Sequence, residues 1–283
     1  MKTHLECIPC IVNHASSLAG KILPQEKQEA AIREILQRVS SEDWKISPPI
    51  FARNIFDMLC PDNSQDLFKT IKVESSRIAR ELLPRLREKV NRMNPDEAFL
   101  AKVKLAIGGN IIDFGAIPNF SLDTVADRMS EVFQMPIDET KAWNLRRKMQ
   151  EAKKIFYILD NCGEAVFDQL LLELIADKVT LGVRGKPVLN DVTEAELSMS
   201  GLASYPFISS GDSTPGVNLQ DATAAYRQMF ETADLVIAKG QGNFETLSDA
   251  GRPIYFLLRV KCPVVARELH AETLGELHIG EKL

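Results

Sequence analysis

The second half of the chain alternates between short apolar runs and helical patterns. The run KIFYILD precedes EAVFDQLLLELIAD, in which pairs of apolar residues recur every four positions and form one helical stripe. The alternation continues through KVTLGV, TEAELSMSG, PFISSG, LQDATAAYRQMFETA, DLVIAKG, NFETLSDA and PIYFLLRV. Short apolar strands separated by helices are typical of a parallel sheet with covering helices. We therefore predict that residues 151–283 form an α/β domain around a mainly parallel, Rossmann-like sheet.

The first half has a different pattern. The segments QEKQEAAIREILQRVSS and DLFKTIKVESSRIARELLPRLREKV carry apolar residues at three- and four-residue spacing and are rich in helix formers. Pro48, Pro49 and Pro61 mark breaks between helices, and Ser121 is a candidate cap for a helix over SLDTVADRMSEVF. Residues 1–150 are accordingly predicted to form a helical N-terminal lobe, or cap, beside the α/β domain.

Composition narrows the class of protein. The 283 residues are 45% hydrophobic and 26% charged, as in ordinary soluble globular proteins. A net charge of −5 gives no electrostatic reason to expect nucleic acid or a membrane surface as partner. The first residues are too polar for a secretory signal, and no apolar run approaches the ~18 residues of a membrane span. Five cysteines fit a reducing compartment, so we expect a cytoplasmic protein.

Polar residues follow four of the predicted strands at the point where each strand ends. Ligands of open α/β sheets bind outside the carboxyl ends of the strands, so these residues are expected to converge on one edge. They are Asp160 and Asn161 after the first strand, Asn190 and Asp191 after the second, Ser210, Gly211 and Asp212 after the third, and the segment Lys239-Gly240-Gln241-Gly242-Asn243 after the fourth.

The residue types indicate metal and anion chemistry. Asp160, Asn161 and Asp191 offer oxygen donors, which suit a hard divalent cation such as Mg²⁺ or Mn²⁺. Lys239 stands in a Gly-rich turn before a helix, where a cation and backbone N–H groups can bind phosphate. Together they predict metal-assisted phosphoryl chemistry. A single Asp after a strand is more often a helix cap or turn residue, and no P-loop or G-x-G-x-x-G motif follows these strands.

The segments LDNCGE, GKPVLNDVT, SSGDSTPG and AKGQGNFE occur in that order, and CIPC lies near the N-terminus. In this series the chain resembles the metal-dependent damage-control phosphatases, and in CIPC it resembles their CxxC-containing subfamily. The resemblance implies a phosphatase that uses Mn²⁺, Ni²⁺, Co²⁺ or Mg²⁺. It also implies a small phosphorylated metabolite as substrate, one that is damaged or accumulates wrongly. Sugar phosphates, phosphopantetheine and purine nucleotides are the classes implied.

Roles carry over from the resemblance by position. Asp160, Asn161 and Asp191 resemble the catalytic metal ligands, and whether water or Asp160 itself attacks the phosphorus stays open. The residues implied in substrate and phosphate binding are Lys239 as the phosphate-facing cation, Gly240 and Asn243 in its loop, Ser210 and Gly211 in the SSGDSTPG segment, and Asn110 and Asp113 in AIGGNIIDFG of the helical lobe.

A second candidate site is formed by cysteines. Cys7 and Cys10 form the CxxC, and Cys262, in VKCPVV, is predicted to approach them in the fold. A zinc site, a redox-labile pair and inert buried thiols are the alternatives, and the sequence does not choose among them. Cys162, beside Asn161, has no neighbouring histidine to activate it and is predicted to be a buried thiol.

Two other functions compete with the phosphatase. One is an S-adenosylmethionine-dependent carboxyl methyltransferase, although the loop after KIFYIL has only Gly163 where a methyltransferase of Rossmann type would have a Gly-rich loop. The other is a non-catalytic protein that binds metal or nucleotides. The sequence indicates neither the oligomeric state nor the physiological substrate.

Overall fold

The computed structural model of the protein describes residues 1–60, 66–109 and 128–282. The helices of these ranges are α1 (Cys7–Ile22), α2 (Gln25–Ser41), α3 (Pro48–Leu59), α4 (Lys69–Asn91), α5 (Pro95–Gly108), α6 (Glu139–Glu151), α7 (Cys162–Leu172), α8 (Ala224–Thr232), α9 (Gly240–Leu247) and α10 (Pro263–Leu269), and residues 128–132 are also helical. The strands are β1 (Ile155–Ile158), β2 (Val179–Val183), β3 (Phe207–Ser209), β4 (Leu235–Lys239), β5 (Ile254–Arg259) and β6 (Leu277–Lys282).

The strands form one sheet in the order β3-β2-β1-β4-β5-β6. All neighbours are parallel except β5 and β6, which pair in antiparallel register. β1 lies between β2 and β4, and its Ile155 is in register with Val179 on one side and Leu235 on the other. The predicted mainly parallel α/β sheet is confirmed. Strand order reverses between β1 and β4, and such a switch point opens a crevice at the carboxyl ends of the strands.

Each face of the sheet is covered by helices because successive strand residues point to opposite sides. Tyr157 belongs to a hydrophobic cluster that joins α4, α5, α6 and α7 to one face. Phe156 belongs to a second cluster on the other face, with Phe230 of α8 and Phe244 of α9. A third, smaller cluster around Phe51 holds α1, α2 and α3 together. The division into lobes at about residue 150 remains a prediction.

Two segments of the second half differ from their expected structure. TEAELSMSG, which was expected to be helical, forms only a 3₁₀ turn over Glu194–Glu196, closed by a reciprocal capping box between Thr193 and Glu196. The strand β6 has no counterpart in the prediction, because its alternation of apolar and polar residues is short. It pairs with β5 and therefore closes one edge of the sheet.

The helical half follows its pattern closely. α2 covers the predicted segment QEKQEAAIREILQRVSS, and α4 continues through Pro84. Pro48 and Pro49 occupy the first turn of α3. Backbone N–H groups have no intrahelical partner in that turn, so proline, which has no N–H, costs no hydrogen bond there. Asn110, Asp113, Ser121 and Pro61 lie outside the described residues. Within the described part of the chain, no helix is long and apolar enough to cross a membrane.

Candidate functional site

The segments that follow β1 and β2 lie side by side at the carboxyl edge of the sheet. The Cys162 amide donates to the Asn190 carbonyl at 2.9 Å, and the Val192 amide donates to the Asp160 carbonyl at 2.8 Å. Asn161 and Asp191 are paired as an isolated antiparallel bridge between these hydrogen bonds. The Asn161 side-chain amide also donates to Asp160 Oδ2 at 3.0 Å. The structure thus brings Asp160, Asn161 and Asp191 together at the switch point.

A buried arginine holds the two carboxylates. Arg184, the first residue after β2, donates from Nε to Asp191 Oδ2 at 2.6 Å and contacts Asp160 Oδ1 from Nη2 at 3.5 Å. Its side chain is 1% exposed, and among the described residues its Nη1 has no hydrogen-bond partner. The strand-end pattern of the sequence assigns no role to Arg184. The available signal was a guanidinium directly after a buried strand and between two acidic strand ends.

Burial and mutual repulsion oppose ionisation of the two carboxylates. Burial raises the pKa of Asp160 well above its ordinary value, and the negative charges of Asp191 and Glu164 raise it further. Burial also raises the pKa of Asp191, although the Arg184 guanidinium acts against that shift. One guanidinium therefore compensates only part of the negative charge at this edge.

The donor set fits a hard divalent cation. Two carboxylates and one amide supply only oxygen ligands, which Mg²⁺ and Mn²⁺ prefer. A cation placed among them would relieve the repulsion that raises the pKa of Asp160. In the described part of the chain, no group of three or more His, Cys, Asp or Glu side chains is arranged to hold a metal ion. The set therefore consists of two carboxylates and the side-chain amide of Asn161, and metal binding by it stays a prediction.

The start of α9 packs directly against Asp160. Gly240 has a φ of +78°, and a Cβ atom there would lie 1.9 Å from Asp160 Oδ2. Only glycine permits both the left-handed backbone and this close approach. Asn243 joins the two strand ends, because its Nδ2 donates to the Leu159 carbonyl at 3.1 Å and to the Lys239 carbonyl at 2.7 Å. Gly240 and Asn243 therefore shape this loop around Asp160.

Lys239 lies below the site in a closed ion cluster. Its Nζ donates to the Ala106 carbonyl at 2.5 Å, to Asp168 Oδ1 at 2.9 Å and to Glu164 Oε1. Burial alone would lower the pKa of Lys239, but the charges of Asp168 and Glu164 raise it above its ordinary value. All three N–H groups of the ammonium are used, and its side chain is fully buried. The expectation that Lys239 faces a phosphate is therefore not met in this arrangement.

Ser210 and Gly211 hold neighbouring loops together. Ser210 Oγ accepts from the Gly185 amide at 3.0 Å and donates to Asp212 Oδ1 at 3.0 Å. Gly211 has a φ of +92°, and a Cβ on Gly185 would lie 2.2 Å from the Gly211 backbone. These contacts join the loops after β2 and β3. Substrate binding by Ser210 and Gly211 stays a prediction.

A lysine that sequence reasoning missed lies at the end of β5. Lys261 is exposed, and its amide donates to Gln241 Oε1, in the first turn of α9, at 3.1 Å. Its charge lowers the pKa of Asp160, Glu164 and Asp191, although burial raises the pKa of each of them. The signal in the sequence is its position after an apolar strand, in VKCPVV next to Cys262.

Two of the three cysteines of the second candidate site pack against the same hydrophobic cluster, and among the described residues no group of three or more His, Cys, Asp or Glu side chains could hold a metal ion. Cys7 begins α1 and Cys262 is the N-cap of α10, and both pack against the cluster around Phe244. Burial raises the pKa of Cys7 and Cys10, and the charge of Cys262 adds to both shifts. All three are free thiols. Zinc and redox roles remain predictions.

Residues 3–277 match the family described as the damage-control phosphatase ARMT1-like domain. A damage-control phosphatase of Pyrococcus horikoshii is 33% identical over 294 residues, which cover 95% of this chain and 94% of the relative. A damage-control phosphatase of Archaeoglobus fulgidus is 29% identical over 275 residues, which cover 90% of this chain and 93% of the relative. The crystal structure of a DUF89 family protein from Pyrococcus horikoshii shares the fold with a TM-score of 0.88, at 30% identity and over 100% of both chains.

Proposed function

Because the chain belongs to the damage-control phosphatase ARMT1-like family, which supports a phosphatase role, we propose that it is a metal-dependent phosphomonoester hydrolase. Its substrates would be damaged or unwanted phosphorylated metabolites. The observation that carries the proposal is the convergence of Asp160, Asn161 and Asp191 at the switch point of the sheet. Any of Mn²⁺, Ni²⁺, Co²⁺ and Mg²⁺ is compatible with oxygen ligands.

In this proposal Asp160, Asn161 and Asp191 hold the cation. When bound, a divalent cation supplies Lewis-acid polarisation of the phosphoryl group. Arg184 keeps the Asp160 and Asp191 carboxylates in place through its contacts at 3.5 and 2.6 Å. This orientation costs no reorganisation when the substrate arrives.

The substrate phosphate is proposed to lie between Lys261 and the start of α9. Lys261 is an exposed cation whose charge acts on Asp160 and Asp191, whereas the side chain of Lys239 is fully buried. The first N–H groups of a helix have no partner within it, so the start of α9 favours an anion. Water and the Asp160 carboxylate remain alternative nucleophiles. Trapping a labelled acyl-phosphate on Asp160 would identify the Asp160 carboxylate as the nucleophile.

The direct test is phosphate release from nucleotides, sugar phosphates, phosphopantetheine and p-nitrophenyl phosphate. Each is assayed with Mn²⁺, Ni²⁺, Co²⁺, Mg²⁺ or a chelator. The wild type is compared with Asp160→Ala and with Asp177→Ala, an exposed carboxylate just before β2 at the opposite edge of the sheet. We expect release that needs metal, is lost in Asp160→Ala and is retained in Asp177→Ala.

Phosphate release that persists in chelator, or in Asp160→Ala, would contradict the proposal. If the folded wild type releases no phosphate with any metal, the same protein is tested for retained S-adenosylmethionine and for methyl transfer. Binding of metal and nucleotide without turnover would instead identify a non-catalytic protein.

A further inference from the structure

A cavity of about 220 Å³ lies between the N-terminal helices and the loops after β2 and β3. Its walls come from α1, α3 and the residues before α4 on one side, and from residues 187–189 and Ser213 on the other. Apolar side chains supply much of the lining, among them Leu18, Phe56, Phe68 and Leu189, and the charged side chains of Lys21, Arg53, Asp57 and Asp66 also line it. A concave, largely apolar space with a few polar groups is the usual form of a small-molecule site.

The wall of this cavity is continuous with the loop after β2 that carries Asp191, a proposed metal ligand. Leu189 lies two residues before Asp191, and the Asp191 amide donates to the Val188 carbonyl at 3.1 Å, which closes the turn between them. On the other side, Asp66 lines the cavity and forms an ion pair with Lys72 at 2.9 Å. The charge of Lys72 acts in turn on Asp191. A ligand in the cavity would therefore lie beside the loop that carries Asp191.

Leu189 adopts a conformation that its side chain does not favour. Its φ is 43°, in the left-handed region, which glycine adopts readily and bulky residues rarely adopt. Such strain persists where the surrounding structure requires it, often at ligand sites. Here the turn keeps the Leu189 side chain in the cavity wall while the next residues lead to Asp191. The backbone strain and the cavity thus involve the same residue.

We propose that this cavity receives the alcohol part of the phosphomonoester and selects substrates by that part. This inference rests on the proposed phosphatase function. The ring of Phe56 and the side chain of Leu189 offer apolar contact, which a group with a ring-sized apolar surface satisfies and a small polyol does not. The site therefore favours phosphoesters of apolar or aromatic alcohols over those of simple polyols, and Phe56 and Leu189 determine that preference.

The test compares 2-naphthyl phosphate with glycerol 1-phosphate in the wild type, in Phe56→Ala and in Leu36→Ala. Leu36 is a matched control because it is 48% exposed on α2 and lies outside the cavity. Loss of one apolar contact in a pocket commonly costs roughly tenfold or more in kcat/KM. We expect that loss for the naphthyl ester in Phe56→Ala, mainly through KM. Glycerol 1-phosphate should change by less than about twofold, and Leu36→Ala should affect neither ester.

A pair of substitutions at Leu189 separates its side chain from its backbone. Leu189→Ala and Leu189→Gly both remove the apolar contact, whereas only glycine relieves the left-handed strain. Both variants should lose the preference for the naphthyl ester. The glycine variant should be the more stable of the two in thermal unfolding. An equal fall for both esters, or an unchanged ratio in Phe56→Ala, would overturn the proposal.

Binding of 2-naphthol, measured by isothermal titration, needs no catalysis and separates the two hypotheses. If no phosphoester is hydrolysed but 2-naphthol binds the wild type and binds Phe56→Ala at least about tenfold more weakly, the cavity assignment stands and the phosphatase function fails. If phosphate is released but neither the ester ratio nor 2-naphthol binding responds to Phe56→Ala, the cavity assignment fails alone.

Discussion

Two ion clusters near the carboxyl edge of the sheet carry the same set of charges but differ in how deeply they are buried. In each, one cation contacts two carboxylates. The edge cluster consists of Arg184, Asp160 and Asp191, and the inner cluster consists of Lys239, Glu164 and Asp168. The residues of the inner cluster are at most 2% exposed, whereas Asp160 in the edge cluster is 8% exposed beside the half-buried Asn161.

The two clusters deal with their excess negative charge in different ways. Burial raises the pKa of Glu164 to about 7 against the opposing charge of Lys239, so proton binding at Glu164 removes part of the negative charge of the inner cluster near neutral pH. The edge cluster lies at the switch point, beside the half-buried Asn161. Each cluster has two carboxylates for one cation. In the inner cluster a proton on Glu164 offsets the excess negative charge, and in our proposal a metal ion does so in the edge cluster.

Breaking the inner cluster should have the largest effect on stability. In Lys239→Met two buried carboxylates lose their cation, so the free energy of unfolding should fall by about 3–5 kcal/mol. The loss should be smaller at pH 6 than at pH 8, because Glu164 takes up a proton. Urea unfolding measures it, with Lys153→Met, an exposed lysine before β1, as control. A loss below about 1 kcal/mol would show that the cluster contributes little.

Breaking the edge cluster should affect function more than stability. Asp191→Asn removes one charge from the proposed metal ligands, so Mn²⁺ affinity and phosphate release should each fall at least about a hundredfold. Asp168→Asn makes the same change in the inner cluster and should leave Mn²⁺ affinity within about twofold. Isothermal titration and phosphate release measure both variants. Equal losses of affinity would mean that the clusters do not differ in metal binding.

Gly240 tests the packing of the edge cluster. Gly240→Ala places a Cβ against Asp160 and forces φ of +78° on alanine, while Gly251→Ala has a similar φ of +72° with nothing within 4 Å. Both should lose about 1–2 kcal/mol in thermal or urea unfolding through their backbone. Only Gly240→Ala should also lose phosphate release, because Asp160 must move. Loss of activity in both variants would point to a general effect on folding.

The smallest effect concerns the proton of the inner cluster. The pKa of Glu164 in the folded protein, about 7, lies above the ordinary value of 4.5. Between these pH values the folded state therefore binds more protons than the unfolded state. The free energy of unfolding consequently decreases as pH rises from about 4.5 to 7. Glu164→Gln should remove this decrease and be about 1 kcal/mol more stable than wild type at pH 8. Unfolding from pH 5 to 8 checks it, with the exposed Glu151→Gln as control.

The fold was largely predictable because it depends on local patterns. The alternation of apolar runs and helical stripes predicted β1 to β5 and their mainly parallel arrangement. Prediction failed for β6, whose six residues alternate only weakly between apolar and polar. Its strand structure depends on pairing with β5. It also failed for TEAELSMSG, where a capping box at Glu194–Glu196 closes a single turn.

By itself the sequence determined which polar residues stand at strand ends, since a strand boundary and a change of residue type are both local. Only the tertiary structure decided what each one contacts. Asp160 and Asp191 meet because their segments pair, and Arg184 joins them from inside. Lys239 points into the protein, because Glu164 and Asp168 on α7 lie within hydrogen-bonding distance of its Nζ. The direction of a long charged side chain depends on distant partners, and a linear pattern does not contain them.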